Sequence, residues 1–285
     1  MLKYGGTVTL DNVVTYITYN ADKVLLGRFC GAATLGIYGR AYQLINLPIA
    51  NLNASIGSVA IPALSRLQND PDRLRSYFLK GYSLFLSLVL PITAACALFA
   101  EDIILVFLGP KWAAAVPVFR LLAPTILAFA LINPLAWLLM AINRAGRGLM
   151  IAVVLAPIVI LGYAAGLRYG PEGVAAGFST ATILTVAPVI FWATRGTPIT
   201  AMGTFGAAAR PVLAVLIGAV STLAVWRWIH LLTLPLLRLT AANVVLFGVY
   251  GVVLWFVMGQ KVVYLGLLRE IGVLRSKNKR PSEGK

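Results

Sequence analysis

The chain has 285 residues, 60% of them hydrophobic and only 12% charged, with a mean hydropathy of +0.87 and a formal net charge of +15. Soluble domains carry about 25% charged residues, so the composition excludes one and points to an integral membrane protein. The positive excess does not indicate nucleic acid, because the lysines and arginines stand at the ends of apolar runs. It reads as a topology signal, with anionic lipid as an added contact.

The apolar runs are long and do not alternate, which fits membrane helices and not the alternating strands of a barrel. The fold class expected is all-α, with about eight transmembrane helices at 6–27, 37–63, 79–100, 113–141, 148–168, 173–193, 211–229 and 239–258. Each is near or above the roughly 20 residues that cross a bilayer core. Turn or helix-end signals separate them at Gly31, Asp70-Pro71, Gly109-Pro110, Gly146 to Gly148, Gly170-Pro171 and Gly196 to Pro198. The first span is expected to follow Met1-Leu2-Lys3 directly, without a cleavable leader.

Orientation follows from the Lys/Arg bias. With the N-terminus in the cytoplasm, Lys3, Arg66, Arg73, Arg75, Lys80, Arg144, Arg147, Arg195, Arg210 and the positives between Lys261 and Lys285 fall inside, sixteen in all. Six fall outside: Arg28, Lys111, Arg120, Arg168, Arg227 and Arg238. Both termini are therefore expected in the cytoplasm.

The first span departs from the greasy texture of the rest. At helical spacing, Asp11, Thr15, Thr18 and Asp22 form one stripe, and Asn12, Tyr16, Tyr19 and Lys23 form the next, with Asn20 between the ends. The second span adds Arg40, Gln43, Asn46 and Asn53 on about half of its wheel, with Asn51 near the edge. Hydrogen bonds between helices, worth about 1 kcal/mol each, or an ion pair of Asp22 with Lys23 or Arg40, would account for one or two such residues. More than a dozen polar side chains on two consecutive helices favour a water-filled cavity. Its expected lining is Asp11, Asn12, Tyr16, Asn20, Asp22, Lys23, Arg28, Arg40, Gln43, Asn46 and Asn53, with Arg28 at the boundary, where it can snorkel.

The other features are blander. Pro48, Pro62, Pro91, Pro117, Pro124, Pro134, Pro157 and Pro188 are expected to bend their helices. Glu101-Asp102 reads as a solvated helix end, and His230 beside Trp226 and Trp228 as an interfacial anchor. Cys30 and Cys96 read as buried thiols without disulfide or metal spacing. No catalytic residue, metal site or cofactor is expected; coupling to a proton or sodium ion is left open. Three regions are expected: a six-helix lobe over 1–195, an appended helix pair over 196–260, and a basic cytoplasmic tail over 261–285.

The stretch from Asp22 to Pro48 reads DKVLLGRFCGAATLGIYGRAYQLINLP. Its Asp22, Gly27-Arg28, Gly31, Leu35-Gly36, Tyr38, Ala41-Tyr42 and Pro48 resemble the polysaccharide or O-antigen flippase branch of the multidrug/oligosaccharidyl-lipid/polysaccharide exporter superfamily. The segments 62–75, 108–124 and 169–178 are similar to that family as well, so the resemblance covers about 1–200. It implies translocation of a polyprenyl-pyrophosphate-linked oligosaccharide across the inner (plasma) membrane of a bacterium, for surface polysaccharide biosynthesis. In the family this block opens the second of two six-helix lobes. The chain therefore resembles a C-terminal lobe with two extra helices, and the facing lobe is expected from a missing N-terminal half, a second copy or a separate chain.

Two further readings remain open at this level. An exporter of small cationic molecules on the same fold would use Asp11 and Asp22, and growth protection against cationic dyes would favour it. A non-transporting scaffold of polysaccharide-assembly proteins would co-purify with a glycosyltransferase or polymerase and move no lipid in vesicles.

Overall fold

A bilayer interior offers no water to pair backbone groups, so a spanning chain must pair them internally, and this sequence does so with helices. The computed structural model describes residues 2–229 and 231–258; the expectations for His230 and for the tail 261–285 lie outside them. The order is α1 (Leu2–Thr18), α2 (Ala21–Phe29), α3 (Gly31–Arg66), α4 (Pro71–Leu98), α5 (Ala100–Phe107), a 3-10 turn (Pro110–Ala115) and α6 (Val116–Ala141). Then come α7 (Ala145–Gly166), a second 3-10 turn (Leu167–Tyr169), α8 (Gly170–Thr194), α9 (Ala201–Ile229) and α10 (Pro235–Val252), closed by a π turn (Val253–Val257). There is no strand among the described residues.

Six segments are long and apolar enough to cross a membrane: Gly31–Arg66, Pro71–Leu98, Pro110–Ala141, Ala145–Thr194, Ala201–Ile229 and Pro235–Phe256. The 50-residue segment Ala145–Thr194 contains two helices, α7 and α8, so these segments hold seven of the expected spans.

The first expected span differs. In place of one helix over 6–27, the chain breaks after Thr18 and restarts at Ala21. The Asn20 side chain donates to the Tyr16 carbonyl at 2.8 Å, and the Asp22 carboxylate accepts from the Lys23 amide at 2.7 Å. Such local bonds offer the backbone an alternative to the helix. Gly31, at φ +84, then turns α2 into α3, a conformation a side chain would oppose.

Most other punctuation signals hold, but the turn expected at Gly146 to Gly148 falls at 142–144, and both glycines lie at the start of α7. Asp70 accepts from the Arg73 amide at 3.1 Å and Pro71 occupies the first turn of α4, where its missing N–H costs nothing. α3, α6, α7 and α8 each run without interruption through their internal prolines.

Helix α6 sits at the centre, packed against α3, α4 and α8, and its Phe119, Leu122, Ala123, Ile126 and Leu138 are fully buried. Polar groups inside the bundle reach across to carbonyls of neighbouring helices: Tyr82 to Leu131 at 3.0 Å, Tyr250 to Ser87 at 2.9 Å, and Ser179 to Leu121. α7 and α8 form an antiparallel hairpin in which Gly162 faces Gly177 and Gly166 faces Gly173. A Cβ on Gly162 would stand 2.7 Å from the Gly177 carbonyl oxygen, so the backbones touch directly, as small residues allow in membranes.

α9 packs on α4 and α10, and α10 also contacts α5. Phe99 stacks on Trp226 with ring centres 5.6 Å apart. Glu101 is exposed, but Asp102 is buried, and Arg238 of α10 donates its Nε to Asp102 Oδ1 at 2.6 Å. The solvated-end expectation thus fails for Asp102: position 102 lies on the inner side of α5, where α10 covers it and supplies the counter-charge.

Two outcomes follow for thermal unfolding in detergent. Gly177→Val should destabilise by ~3 kcal/mol, the upper range for overpacking a tight core, while Gly206→Ala, where a Cβ meets nothing within 4 Å, should be neutral or mildly stabilising. Arg238→Met should lower stability by roughly 3–5 kcal/mol by leaving the Asp102 carboxylate unpaired. The double variant Asp102→Leu with Arg238→Met should recover most of that loss.

Candidate functional site

The residues marked out by the sequence fall into three environments. The first is the elbow between α1, α2 and α3. Asp22 is 0% exposed; its Oδ2 accepts from the Tyr38 hydroxyl of α3 at 2.8 Å, and Oδ1 from the Lys23 amide. Tyr38 stacks on Tyr42 at 6.2 Å. Lys23 turns aside, its Nζ 4.9 Å over the Tyr42 ring and donating to Asn20 Oδ1 at 2.7 Å. Asp22 forms no ion pair with Lys23 or Arg40 among the described residues; Tyr38 occupies that role. Asp22 is therefore withdrawn from the open face on which the periodicity put it. Tyr163 of α7 is close enough to interact electrostatically with Asp22, yet its buried hydroxyl has no partner among the described residues.

The second environment is a partly open cavity of about 200 Å³ lined by residues of α1, α6, α7 and α8 and by Tyr19. Asp11, Asn12, Thr15, Thr18 and Tyr19 line its α1 side, so residues from both predicted stripes share it. Asn133 of α6 adds a polar group to a wall otherwise made of apolar side chains and Gly148. Tyr19 packs edge-on to Phe129 at 5.2 Å. Sequence reasoning missed Asn133 and Tyr163: each is a lone polar residue in an apolar span, and neither repeats at helical spacing.

The third is an open surface. Tyr16 is 70% exposed, and Arg28, Arg40, Gln43 and Asn46 are exposed as well. Arg40 donates to Gln43 Oε1 at 3.1 Å and lies 5.7 Å from the Trp112 ring. Neither Arg28 nor Arg40 has a carboxylate partner among the described residues. Asn53 is half-buried, and its Oδ1 has no partner there either. α1 packs on α7 while α3 packs on α6 and α4, and the two do not form a packed pair. They are joined through α2. Among the described residues no group of three or more His, Cys, Asp or Glu could hold a metal ion.

A many-helix membrane protein with a polar elbow and an unpaired basic face is thus defined, and comparison with known proteins says which class it resembles. Residues 1–117 match the family described as "Polysaccharide biosynthesis protein". The chain is 29% identical over 187 residues to the lipopolysaccharide biosynthesis protein WzxC of Escherichia coli K12, covering 64% of this chain and 37% of that protein. It is 30% identical over 142 residues to the teichuronic acid biosynthesis protein TuaB of Bacillus subtilis 168, covering 50% and 29%. It is 23% identical over 138 residues to the succinoglycan biosynthesis transport protein ExoT of Rhizobium meliloti 1021, covering 48% and 27%. The chain resembles the polysaccharide flippase branch, as its Asp22–Pro48 block indicates. It spans about a third of the length of the curated relatives it matches.

The elbow makes a direct expectation. Tyr38→Phe keeps the ring and its stacking but leaves Asp22 without its cross-helix donor, which should lower stability by ~1–3 kcal/mol. Limited proteolysis of the purified protein should then cut faster around Tyr19–Asn20; unchanged unfolding and cleavage would contradict the bond's role.

Proposed function

We propose that the chain serves the translocation of a polyprenyl-pyrophosphate-linked oligosaccharide across a bacterial inner membrane, for surface polysaccharide biosynthesis, and that it does so as one lobe of a two-lobed carrier. The observation that carries this reading is the exposed face of Arg28, Arg40, Gln43 and Asn46. A charged group facing hydrocarbon costs roughly 3 kcal/mol even on insertion scales, so a face with two such cations must meet water, a second lobe or an anionic group. Arginine forks suit phosphate oxygens, and a pyrophosphate linkage supplies them. The names of the relatives, which refer to lipopolysaccharide, teichuronic acid and succinoglycan biosynthesis, support the same class of substrate.

In this reading residues 1–195 form the lobe, 196–260 a helix pair docked on it and 261–285 a basic cytoplasmic tail; both termini are cytoplasmic. The facing lobe closes the path over the α2–α3 surface, whether it comes from the same polypeptide, a second copy or a separate chain. The small cavity behind α1 has Asp11 and Asn12 at its wall. The role is transport and not chemistry.

The test is export in cells that depend on this protein, with its facing lobe present. Arg28→Ala with Arg40→Ala should cut surface polysaccharide about tenfold or more at equal membrane abundance, the loss expected when charge-assisted contacts worth ~1.5–3 kcal/mol are removed. Normal export by the double variant would refute the assignment of this face.

A further inference from the structure

Away from that face, three arginines meet where α7 begins and α8 ends. Arg144 precedes α7, Arg147 lies in its first turn, and Arg195 follows the last residue of α8. Arg144 donates from Nη1 to the Gly196 carbonyl at 2.6 Å. Arg147 donates from Nη1 to the Ala193 carbonyl at 3.4 Å and to the Arg195 carbonyl. Gly196, at φ +66, shapes the turn that presents its carbonyl. Two of the guanidinium groups are thus fixed in place by one nitrogen each, while a guanidinium carries five N–H donors. The Arg195 side chain makes no hydrogen bond among the described residues.

Charge at this point is not balanced. Arg144 and Arg195 both repel Arg147, and none of the three has a carboxylate partner among the described residues. The C-terminal end of α8 offsets about half a charge, and the N-terminal end of α7 adds about the same amount back. Capping the α8 carbonyls uses one nitrogen of Arg144 and one of Arg147, and the inside bias of positive charge accounts for cations at this end of the helices; neither uses the remaining donors of the three guanidinium groups.

We propose that Arg144, Arg147 and Arg195 form a phosphate-binding site, separate from the α2–α3 face, that takes the phosphodiester headgroup of an anionic membrane lipid or a soluble phosphate of the same chemistry. The planar forks match phosphate oxygens in pairs, and one or two negative charges relieve the mutual repulsion. The ends of membrane helices lie at headgroup depth, where basic pockets collect anionic lipids. The site depends on the chain's being in a membrane and not on what the chain transports.

The experiment uses the purified full chain in a neutral detergent and follows its Tm, since a ligand that binds only the folded state raises it. The probes are phosphatidylglycerol, phosphatidylcholine, and sodium phosphate against sodium chloride at equal ionic strength. Phosphatidylglycerol should raise Tm where phosphatidylcholine does not, and Arg195→Gln should raise the concentration needed at least tenfold. This variant removes a charge without removing a protein hydrogen bond, so it is expected to fold. Arg227→Gln, at the end of α9, should leave the titration unchanged. A response to sodium phosphate alone that Arg195→Gln abolishes would assign the site to a soluble phosphate. An equal response to both lipids, or a response the same in wild type and Arg195→Gln, would overturn the proposal.

Discussion

The Asp22 carboxylate is the constraint around which the first third of the chain is arranged. Inside a bilayer a buried carboxyl group has no water to turn to, and leaving it unpaired costs more than a typical side-chain contact returns. It is satisfied by one hydroxyl from another helix, Tyr38, and one amide of its own turn, Lys23. The first of these bonds ties α2 to α3 across the Gly31 turn. The helix breaks at Tyr19–Asn20, whereas a continuous helix over 6–27 would carry Asp22 along the stripe of Asp11 and Thr18. Because α1 then leans on α7 while α3 leans on α6 and α4, the polar residues of α2 and α3 are left open and not buried against α1.

The remainder of the bundle provides a rigid support for that elbow. The α7–α8 hairpin is held at backbone contact by facing glycines, and α6 fills the centre with apolar side chains. Several interior hydroxyls, those of Tyr82, Thr182 and Thr222 among them, donate to a carbonyl on their own or a neighbouring helix, which is how polar residues are tolerated at membrane depth. Asp102 with Arg238 locks the last helix pair to α5, the same solution to a buried carboxylate as at Asp22 but with a cation in place of a tyrosine.

Much of this is legible in the sequence because hydrophobic length is a strong signal. The helical class follows from it, as do seven of the spans and their separators at Asp70-Pro71 and Gly170. Asp11, Thr15 and Thr18 of one stripe and Asn12 and Tyr19 of the adjoining one meet the same cavity, which Tyr16, Asp22 and Lys23 of those stripes do not line. The periodicity does not say where a helix stops being a helix: Asp22 and Lys23 read as the last members of two stripes, and only the side-chain bonds of Asn20 and Asp22 to the backbone mark the place where the stripes are broken. Partners distant in sequence are equally hidden. Tyr38 looked like one element of a family block, and Asp102 like a solvated end, until the fold brought them to Asp22 and Arg238.

The central claim is that the α2–α3 polar face meets water and not lipid. It is tested most directly by thiol accessibility in intact membranes, with Cys30 and Cys96 replaced by serine and single cysteines introduced as Asn46→Cys on α3 and, for comparison, Leu161→Cys on the apolar surface of α7, where Leu161 is 67% exposed. A charged, membrane-impermeant maleimide should label Asn46→Cys in the membrane while Leu161→Cys reacts only after detergent is added. Labelling of Asn46→Cys that appears only in detergent would contradict the account.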